Sequence, residues 1–232
     1  MGPRVFVQSS KCPKARPGTG MYDARMAQRS QRPRAAIAFK AHTGWAAALV
    51  AAEAGEGIEI LAKERVKMRD GFQAAAVYHV GHEQGLTSDQ ARPMIENARR
   101  ESVVRAKKAI AAIAESVAGR CSLERAAVLA GGGRPLPDLD AILRSHPLVH
   151  TAEGELYRDA LADACESLGY RVLRVAAKGL AARAPDLLGL ADGAVTAKLA
   201  SAGAASGRPW AAEQRECALA AWIALAGDLR RR

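Results

Sequence analysis

Residues 35–68 read AAIAFKAHTGWAAALVAAEAGEGIEILAKERVKM, and this stretch decides the fold. Two apolar runs, 35–41 and 45–52, are separated by a turn-like His-Thr-Gly, and a glycine-containing break over 53–57 leads into a run in which apolar and charged residues alternate. Short runs of this kind between turn residues are typical of β-strands. The stretch therefore predicts a three-stranded antiparallel meander whose third strand is an edge protected by charge.

Helix and strand patterns alternate after the meander. A long helix is predicted over 88–117, because Thr87 and Gln90 have the spacing of a capping box and small or apolar residues recur at helical intervals. The further elements predicted are strands at 125–130 and 170–176, helices at 136–143 and 148–168, and a helical C-terminal third. The order β-β-β-α-β-α-β-α predicts an α/β fold with a mixed five-stranded sheet, in which the last two strands run parallel to the first.

The positive charge is concentrated at the N-terminus. The formal net charge is +10, and residues 1–34 hold eight basic residues against one acidic residue. This segment has no sustained apolar period, so we expect residues 1–33 to form a basic disordered tail and residues 34–232 to form a single domain. Three roles stay open for the tail: phosphate contacts, a targeting segment, or leader sequence before a start at Met21 or Met26.

The tail is expected to be dispensable for folding, because its composition offers no apolar face to bury. A chain that begins at Arg34 should therefore unfold at nearly the same temperature as the full chain. Thermal unfolding of the two chains, followed by circular dichroism, checks this expectation. Aggregation of the shorter chain, or a melting temperature far below that of the full chain, would contradict it.

Composition limits the class of protein. A hydrophobic fraction of 49% excludes wholesale disorder. No stretch has the roughly 18 or more apolar residues of a membrane span, and the N-terminus lacks an apolar signal core, so we expect a cytoplasmic protein without a membrane partner. The cysteines form no CxxC pair that would indicate zinc or thioredoxin-like chemistry, and those outside the tail are expected to be buried. They are Cys12, Cys121, Cys165 and Cys217.

The order of elements resembles the ribonuclease H-like fold over about residues 35–226. Phe39-Lys40-Ala41-His42-Thr43-Gly44-Trp45-Ala46 stands where such domains have their first strand and hairpin turn, and the Gly-Trp-Ala after the turn is similar to the first hairpin of junction-resolvase relatives. The Lys-Ala-His-Thr-Gly-Trp block also resembles a block found in bacterial proteins, and this second resemblance implies no particular activity. The resemblance implies a two-metal site, because nucleases of this fold hold two divalent metals at the scissile phosphate with carboxylates from two strands and two helices.

This sequence departs from that carboxylate set. The first strand offers Lys40 and His42 in place of an aspartate, and the fourth strand ends in Gly131 and Gly132. The carboxylates left in suitable elements are Glu96 or Glu101 in the long helix and Glu213 or Glu216 in the last helix. We therefore expect a non-catalytic domain that has no cofactor and binds nucleic acid or a ribonucleoprotein partner.

A second hypothesis is an enzyme that acts on a phosphorylated or carboxylated small molecule at the carboxyl edge of the sheet. The candidate anion site consists of Lys40, Gly131, Gly132, Gly133 and Arg134. The catalytic candidates are His42, His150 and Glu153. The two histidines are candidates for proton transfer, and we expect them to open into the same pocket as the glycine turn. A third hypothesis is a structural or assembly role, in which the alanine-rich helices pack against a partner.

The remaining histidines offer weaker metal chemistry. His146 and His150 are four residues apart and Glu153 follows three later, which on a continuous helix is a set that can bind zinc. Pro147 interrupts that continuity and the pattern is not HExxH, so we expect no metal site and favour satisfied or capping histidines. His79 and His82 are predicted to be loop residues.

The aromatic residues are predicted to serve the core. Phe39 and Trp45 lie in the apolar first hairpin, so both are expected to be core anchors rather than ligand contacts. Only 4% of the residues are aromatic. This composition predicts that no aromatic platform remains on which single-stranded nucleic acid can stack.

Overall fold

A computed structural model of the protein describes residues 32–132, 135–191 and 193–227. Residues 1–31 of the basic tail lie outside the described residues, as do Gly133 and Arg134 of the glycine turn. The division into a tail and one domain therefore stays a prediction. Within the described ranges, no helix combines the length and the apolar character needed to cross a bilayer.

Five strands form one mixed sheet, and the fold class predicted from the sequence is confirmed. The strands are β1 (Arg34–His42), β2 (Trp45–Ala54), β3 (Gly57–Lys67), β4 (Ser122–Ala130) and β5 (Arg171–Ala176). Their order across the sheet is β3-β2-β1-β4-β5. The meander is antiparallel, whereas β4 is parallel to β1 and β5 is parallel to β4. The ends of β1, β3, β4 and β5 therefore meet at one carboxyl edge.

The first hairpin turn fixes the geometry at this edge. Thr43 and Gly44 form a two-residue connection, because His42 pairs directly with Trp45. Gly44 has φ of +80°, a conformation that side chains disfavour, and a Cβ there would lie 2.8 Å from Cβ of Ala75. The turn therefore places the side chains of His42 and Trp45 side by side on adjacent strands.

Helices cover both faces of the sheet. Within the described ranges they are α1 (Phe72–Ala75), α2 (Val77–Glu83), α3 (Ser88–Val117), α4 (Leu139–Leu143), α5 (His146–Ser167), α6 (Leu180–Leu188), α7 (Ala194–Ser206) and α8 (Ala212–Ala226). The predicted capping box is present at the start of α3, where Thr87 and Gln90 exchange hydrogen bonds. It satisfies two backbone N–H groups that a helix start leaves free.

Two expectations about the histidine segments are wrong. His79 and His82 lie on α2 rather than in a loop. Pro147 does not interrupt a helix, because α5 begins at His146 and the proline occupies the first turn, where its missing N–H has no helical partner to lose. His146 and His150 therefore share one face of α5.

The core has two layers, one on each face of the sheet, and successive side chains of β1 point alternately into them. Ile37 and Phe39 pack with residues of α3 and α5 on one face of the sheet. Ala36 and Ala38 pack with α6, α7 and α8 on the other face. Phe39 is 0% exposed, so its prediction as a core anchor is confirmed. Trp45 is only half-buried, and for this residue the prediction is wrong.

Candidate functional site

The end of β1 carries two side chains that meet carboxylates of α8. Nζ of Lys40 lies 2.8 Å from Oε2 of Glu216, and Nε2 of His42 lies 2.6 Å from Oε1 of Glu213. Both pairs are about one-third exposed at their side chains. They form because even-numbered residues of β1 face α8, whose first two turns bring the glutamates to the carboxyl edge. The ammonium of Lys40 therefore neutralises a carboxylate in the last helix.

The thiol beside these pairs is inert. Cys217 is fully buried, and its Sγ lies 3.8 Å from the carbonyl oxygen of Ala47. Burial raises the pKa of the Cys217 thiol to about 12, and burial raises the pKa of the Cys165 thiol to about 12 as well. Because the thiolate is the reactive form, neither group acts as a nucleophile near neutral pH. The prediction that the cysteines of the domain are buried is confirmed, since Cys121, Cys165 and Cys217 are all buried.

Trp45 is packed between polar and cationic neighbours at the start of β2. The ring of His42 stacks on the indole, with 4.2 Å between centroids and 10° between planes. The guanidinium carbon of Arg65 lies 3.7 Å from the indole centroid. The β2–β3 register explains this contact, because Trp45 pairs with Lys67 and Arg65 is the diagonal neighbour on β3. A cation over an indole face is a favourable electrostatic contact.

A groove of about 430 Å³ opens beside this indole at the carboxyl edge. We call it the Trp45 groove and define it by the side chains of Trp45, Arg65, Lys67, Arg69 and Phe72, which line it together with the hairpin turn. Phe72 is 68% exposed, which is unusual for a large apolar side chain next to cations. The expectation that no aromatic platform remains is therefore wrong.

The groove is positively charged even after its ion pairs are counted. Lys67 lies 2.5 Å from Asp70, and Asp70 also pairs with Arg105. Hydrogen bonds from Lys67 and then from Arg105 hold the pKa of Asp70 at about 2, so this carboxyl is ionised under all ordinary conditions. Arg69 pairs with Glu101 of α3. Within the described part of the chain, Arg65 contacts the indole and no carboxylate, so the cations around the groove outnumber the anions.

A second group of titratable side chains lies between α2 and α5. His79, His146 and His150 have ring nitrogens that all lie within 4.8 Å of one another, and we call them the histidine cluster. The ring of Phe72 lies 6.2 Å from the ring of His79, so the cluster borders the Trp45 groove. Four of the five histidines meet here, because the ring of His82 is also 5.8 Å from that of His146.

Glu153 is a buried carboxylate that contacts the cluster through His79. This residue is 1% exposed and its carboxylate contacts Nδ1 of His79. Burial raises the pKa of Glu153, while the contact with His79 opposes that shift. The pKa of His150 is lowered by loss of solvation and by His79 and His146 beside it. These neighbours therefore favour the neutral form of the His150 imidazole.

The candidate residues from the sequence fall into separate groups. Lys40 and His42 lie on the face covered by α8, whereas His150 belongs to α5, which covers the opposite face. The two candidate histidines therefore lie in different clusters rather than in one pocket. Glu153, a third candidate, orients His79.

The glycine turn lies beside an ion pair. A Cβ on Gly131 would be 3.2 Å from both Glu155 Oε1 and Arg158 Nη1, which are themselves 2.8 Å apart. Because Glu155 neutralises the guanidinium of Arg158, this pair offers no net positive charge to an anionic ligand at the turn. A Cβ on Gly132 would meet no atom of another described part of the chain within 4 Å.

The long-helix carboxylates are also accounted for. Glu96 is exposed on α3, and Glu101 is paired with Arg69.

The sequence did not predict the Trp45 groove. Its only local signal is Phe72 directly after the charged Arg69-Asp70-Gly71, in a stretch where apolar periodicity is absent.

Comparison with known proteins identifies the architecture. No family model matches the sequence, and no curated protein matches it. Among solved structures, T. thermophilus RuvC in complex with a Holliday junction substrate superposes with a TM-score of 0.51 at 12% identity, over 85% of this chain and 96% of that chain. A further Thermus thermophilus RuvC structure gives a TM-score of 0.48 at 13% identity, over 84% of this chain and 94% of that chain. The chain therefore has the ribonuclease H-like fold that its sequence resembles.

Proposed function

We propose that this protein is a non-catalytic ribonuclease H-like domain that binds nucleic acid in the Trp45 groove. The observation that carries the proposal is the exposed ring of Phe72 beside Arg65 and Lys67 at the carboxyl edge. Aromatic rings stack on bases, and arginine and lysine neutralise phosphates. Open α/β sheets bind their ligands at this edge.

The structural neighbour supports the class of partner. T. thermophilus RuvC was solved with a Holliday junction substrate, and its fold matches this chain over most of both lengths. A four-way DNA junction is therefore one substrate to test beside single strands and duplexes. Cations and an exposed ring suit phosphates and base faces rather than base edges, so binding should depend on salt and discriminate weakly among sequences.

The pairs at the end of β1 support the absence of nuclease chemistry. Two-metal catalysis needs carboxylates that are free to bind cations, and here Glu216 is paired with Lys40. Glu213 is paired with His42, and β4 ends without a carboxylate. A fixed ammonium in this position repels the divalent ion that the chemistry requires.

Single substitutions in the groove test the binding proposal. Phe72→Ala should weaken the binding of single-stranded DNA about 5- to 150-fold, because one base–aromatic contact contributes about 1–3 kcal/mol. Arg65→Glu should weaken binding and reduce its dependence on salt. Fluorescence anisotropy across a salt series measures both effects, with the full chain and with a chain lacking residues 1–33.

Two residues of α3 provide matched controls. Val104 is as exposed as Phe72, at 68%, and Lys107 is an exposed cation outside the groove. Val104→Ala and Lys107→Glu should bind like the wild type. Equal losses in these controls would move the interface to α3, and unchanged affinity in the groove variants would overturn the proposal. Magnesium-dependent cleavage by the wild type would overturn its non-catalytic part alone.

A further inference from the structure

The histidine cluster has the composition and support of a metal site. We propose that His79, His146 and His150 bind a divalent transition-metal ion, with Zn²⁺ as the best match. This inference is independent of nucleic-acid binding, since it rests on a different set of side chains. Zinc accepts three imidazole nitrogens and leaves a fourth position to water or another ligand.

Two helices bring the three rings together. His146 and His150 are one turn apart on α5, with ring centroids separated by 4.4 Å. His79 comes from α2, and its ring lies 4.5 Å from that of His150 and 5.6 Å from that of His146. Nitrogens that bind one tetrahedral zinc at about 2.0–2.1 Å lie ~3.3 Å apart. The 4.8 Å span of the cluster therefore closes by small rotations of the exposed rings of His146 and His150.

The buried carboxylate of Glu153 is the second observation that points to a metal. It contacts Nδ1 of His79, which leaves Nε2 of that ring for a ligand bond. Metal-binding histidines regularly give their other N–H to a carboxylate, which fixes the ring and makes it a better donor. The other oxygen, Oε1 of Glu153, has no hydrogen-bond partner among the described residues.

Electrostatics also favours a cation at this point. A carboxylate that is 1% exposed is poorly solvated, so a positive charge near it is favourable. A divalent ion on the far nitrogen of His79 places positive charge within reach of Glu153.

The surroundings select the class of metal. Imidazole nitrogens suit Zn²⁺, Cu²⁺, Ni²⁺ and Co²⁺, whereas Mg²⁺ prefers oxygen ligands. His82 is not one of the three ligand candidates: its ring lies 5.8 Å from that of His146, and its Nδ1 lies 2.6 Å from the carbonyl oxygen of Leu143. The exposed sides of His146 and His150 face solvent, so the fourth position is open to water.

Metal titration of the full chain, prepared without a histidine tag, tests the site. We expect one equivalent of Zn²⁺ to bind and to raise the melting temperature. One equivalent of Co²⁺ should give visible d–d absorption without a thiolate charge-transfer band. The double variant His146→Gln, His150→Gln should lose both signals, and both substitutions fall on exposed positions that leave the core intact.

Two further variants separate a metal site from a merely structural cluster. Glu153→Gln retains the shape of the side chain but not its charge, and it should weaken Zn²⁺ binding about 10- to 100-fold. His42→Gln alters the one histidine outside this region and should bind Zn²⁺ like the wild type. Binding that survives the double histidine variant, a thiolate band with Co²⁺, or no binding of Zn²⁺ by the wild type would each overturn the proposal.

Discussion

Replacing Phe39 by alanine is expected to lower the free energy of unfolding by about 3–5 kcal/mol. The ring is 0% exposed in the middle layer between the sheet and helices α3 and α5. Its loss removes buried apolar area and leaves a cavity that β1, paired on both sides, cannot close. For a domain of this size, about 2–4 °C of melting temperature accompanies each kcal/mol, so the melting temperature should fall by roughly 6–20 °C.

Trp45→Ala is the matched comparison, because it removes a larger ring from the same hairpin. The indole is half-buried and contacts His42 and Arg65 rather than a closed core. Its replacement should therefore destabilise the protein less than Phe39→Ala while weakening nucleic-acid binding more. Chemical denaturation of the two variants measures the difference. If Trp45→Ala lost as much stability as Phe39→Ala, the indole would be a core anchor after all.

This pair of aromatics shows why the sequence predicted the fold better than the surface. Strand periodicity identified the hairpin, and the turn residues located its end, since both are local properties. Phe39 is buried because helices cover the middle of β1 on both faces. Trp45 begins β2 at the carboxyl edge, where that cover ends. The same apolar pattern therefore has two outcomes, and only the packing of distant helices separates them.

The histidine cluster shows a similar limit. The sequence shows the spacing of His146, His150 and Glu153 directly. The prediction that Pro147 interrupts this helix is wrong, because a proline in the first turn is compatible with a helix. His79 comes from a helix 67 residues before His146 in the sequence, so no local pattern joins them. The sequence makes Glu153 a candidate metal ligand and catalytic residue. Its burial and its contact with His79 give it a supporting position instead.

The Trp45 groove was missed for a related reason. Arg65 and Lys67 belong to the end of β3, and Arg69 follows that strand. The exposed ring of Phe72 belongs to α1, while the indole starts β2. Each of these segments alone resembles an ordinary strand end or a short helix. Their common position follows from the register between β2 and β3, which pairs Trp45 with Lys67. Fold order predicted the carboxyl edge as the binding region, but not which of its side chains are exposed.

The substitution Lys40→Asp is expected to convert the end of β1 into a magnesium-dependent site. Without metal, the variant loses the pair with Glu216 and brings a new carboxylate next to Glu213 and Glu216. These side chains are about one-third exposed, so solvent screens their interactions, and the loss of stability should be about 1–2 kcal/mol. Addition of Mg²⁺ should restore that loss, because hard divalent ions bind grouped carboxylates.

Lys40→Ala is the control for this experiment, because it removes the ammonium without adding a carboxylate. The wild type and Lys40→Ala should show no change in melting temperature with Mg²⁺ that exceeds the effect of matched ionic strength, whereas Lys40→Asp should show an increase. Cleavage of DNA is not expected even then, since β4 ends at Ala130 and is followed by Gly131, with no carboxylate for a second metal. If Lys40→Asp gained no stability from Mg²⁺, the ammonium of Lys40 would not occupy the place of a metal ion. The paired glutamates of α8 would then hold β1 to the last helix and have no relation to a metal site.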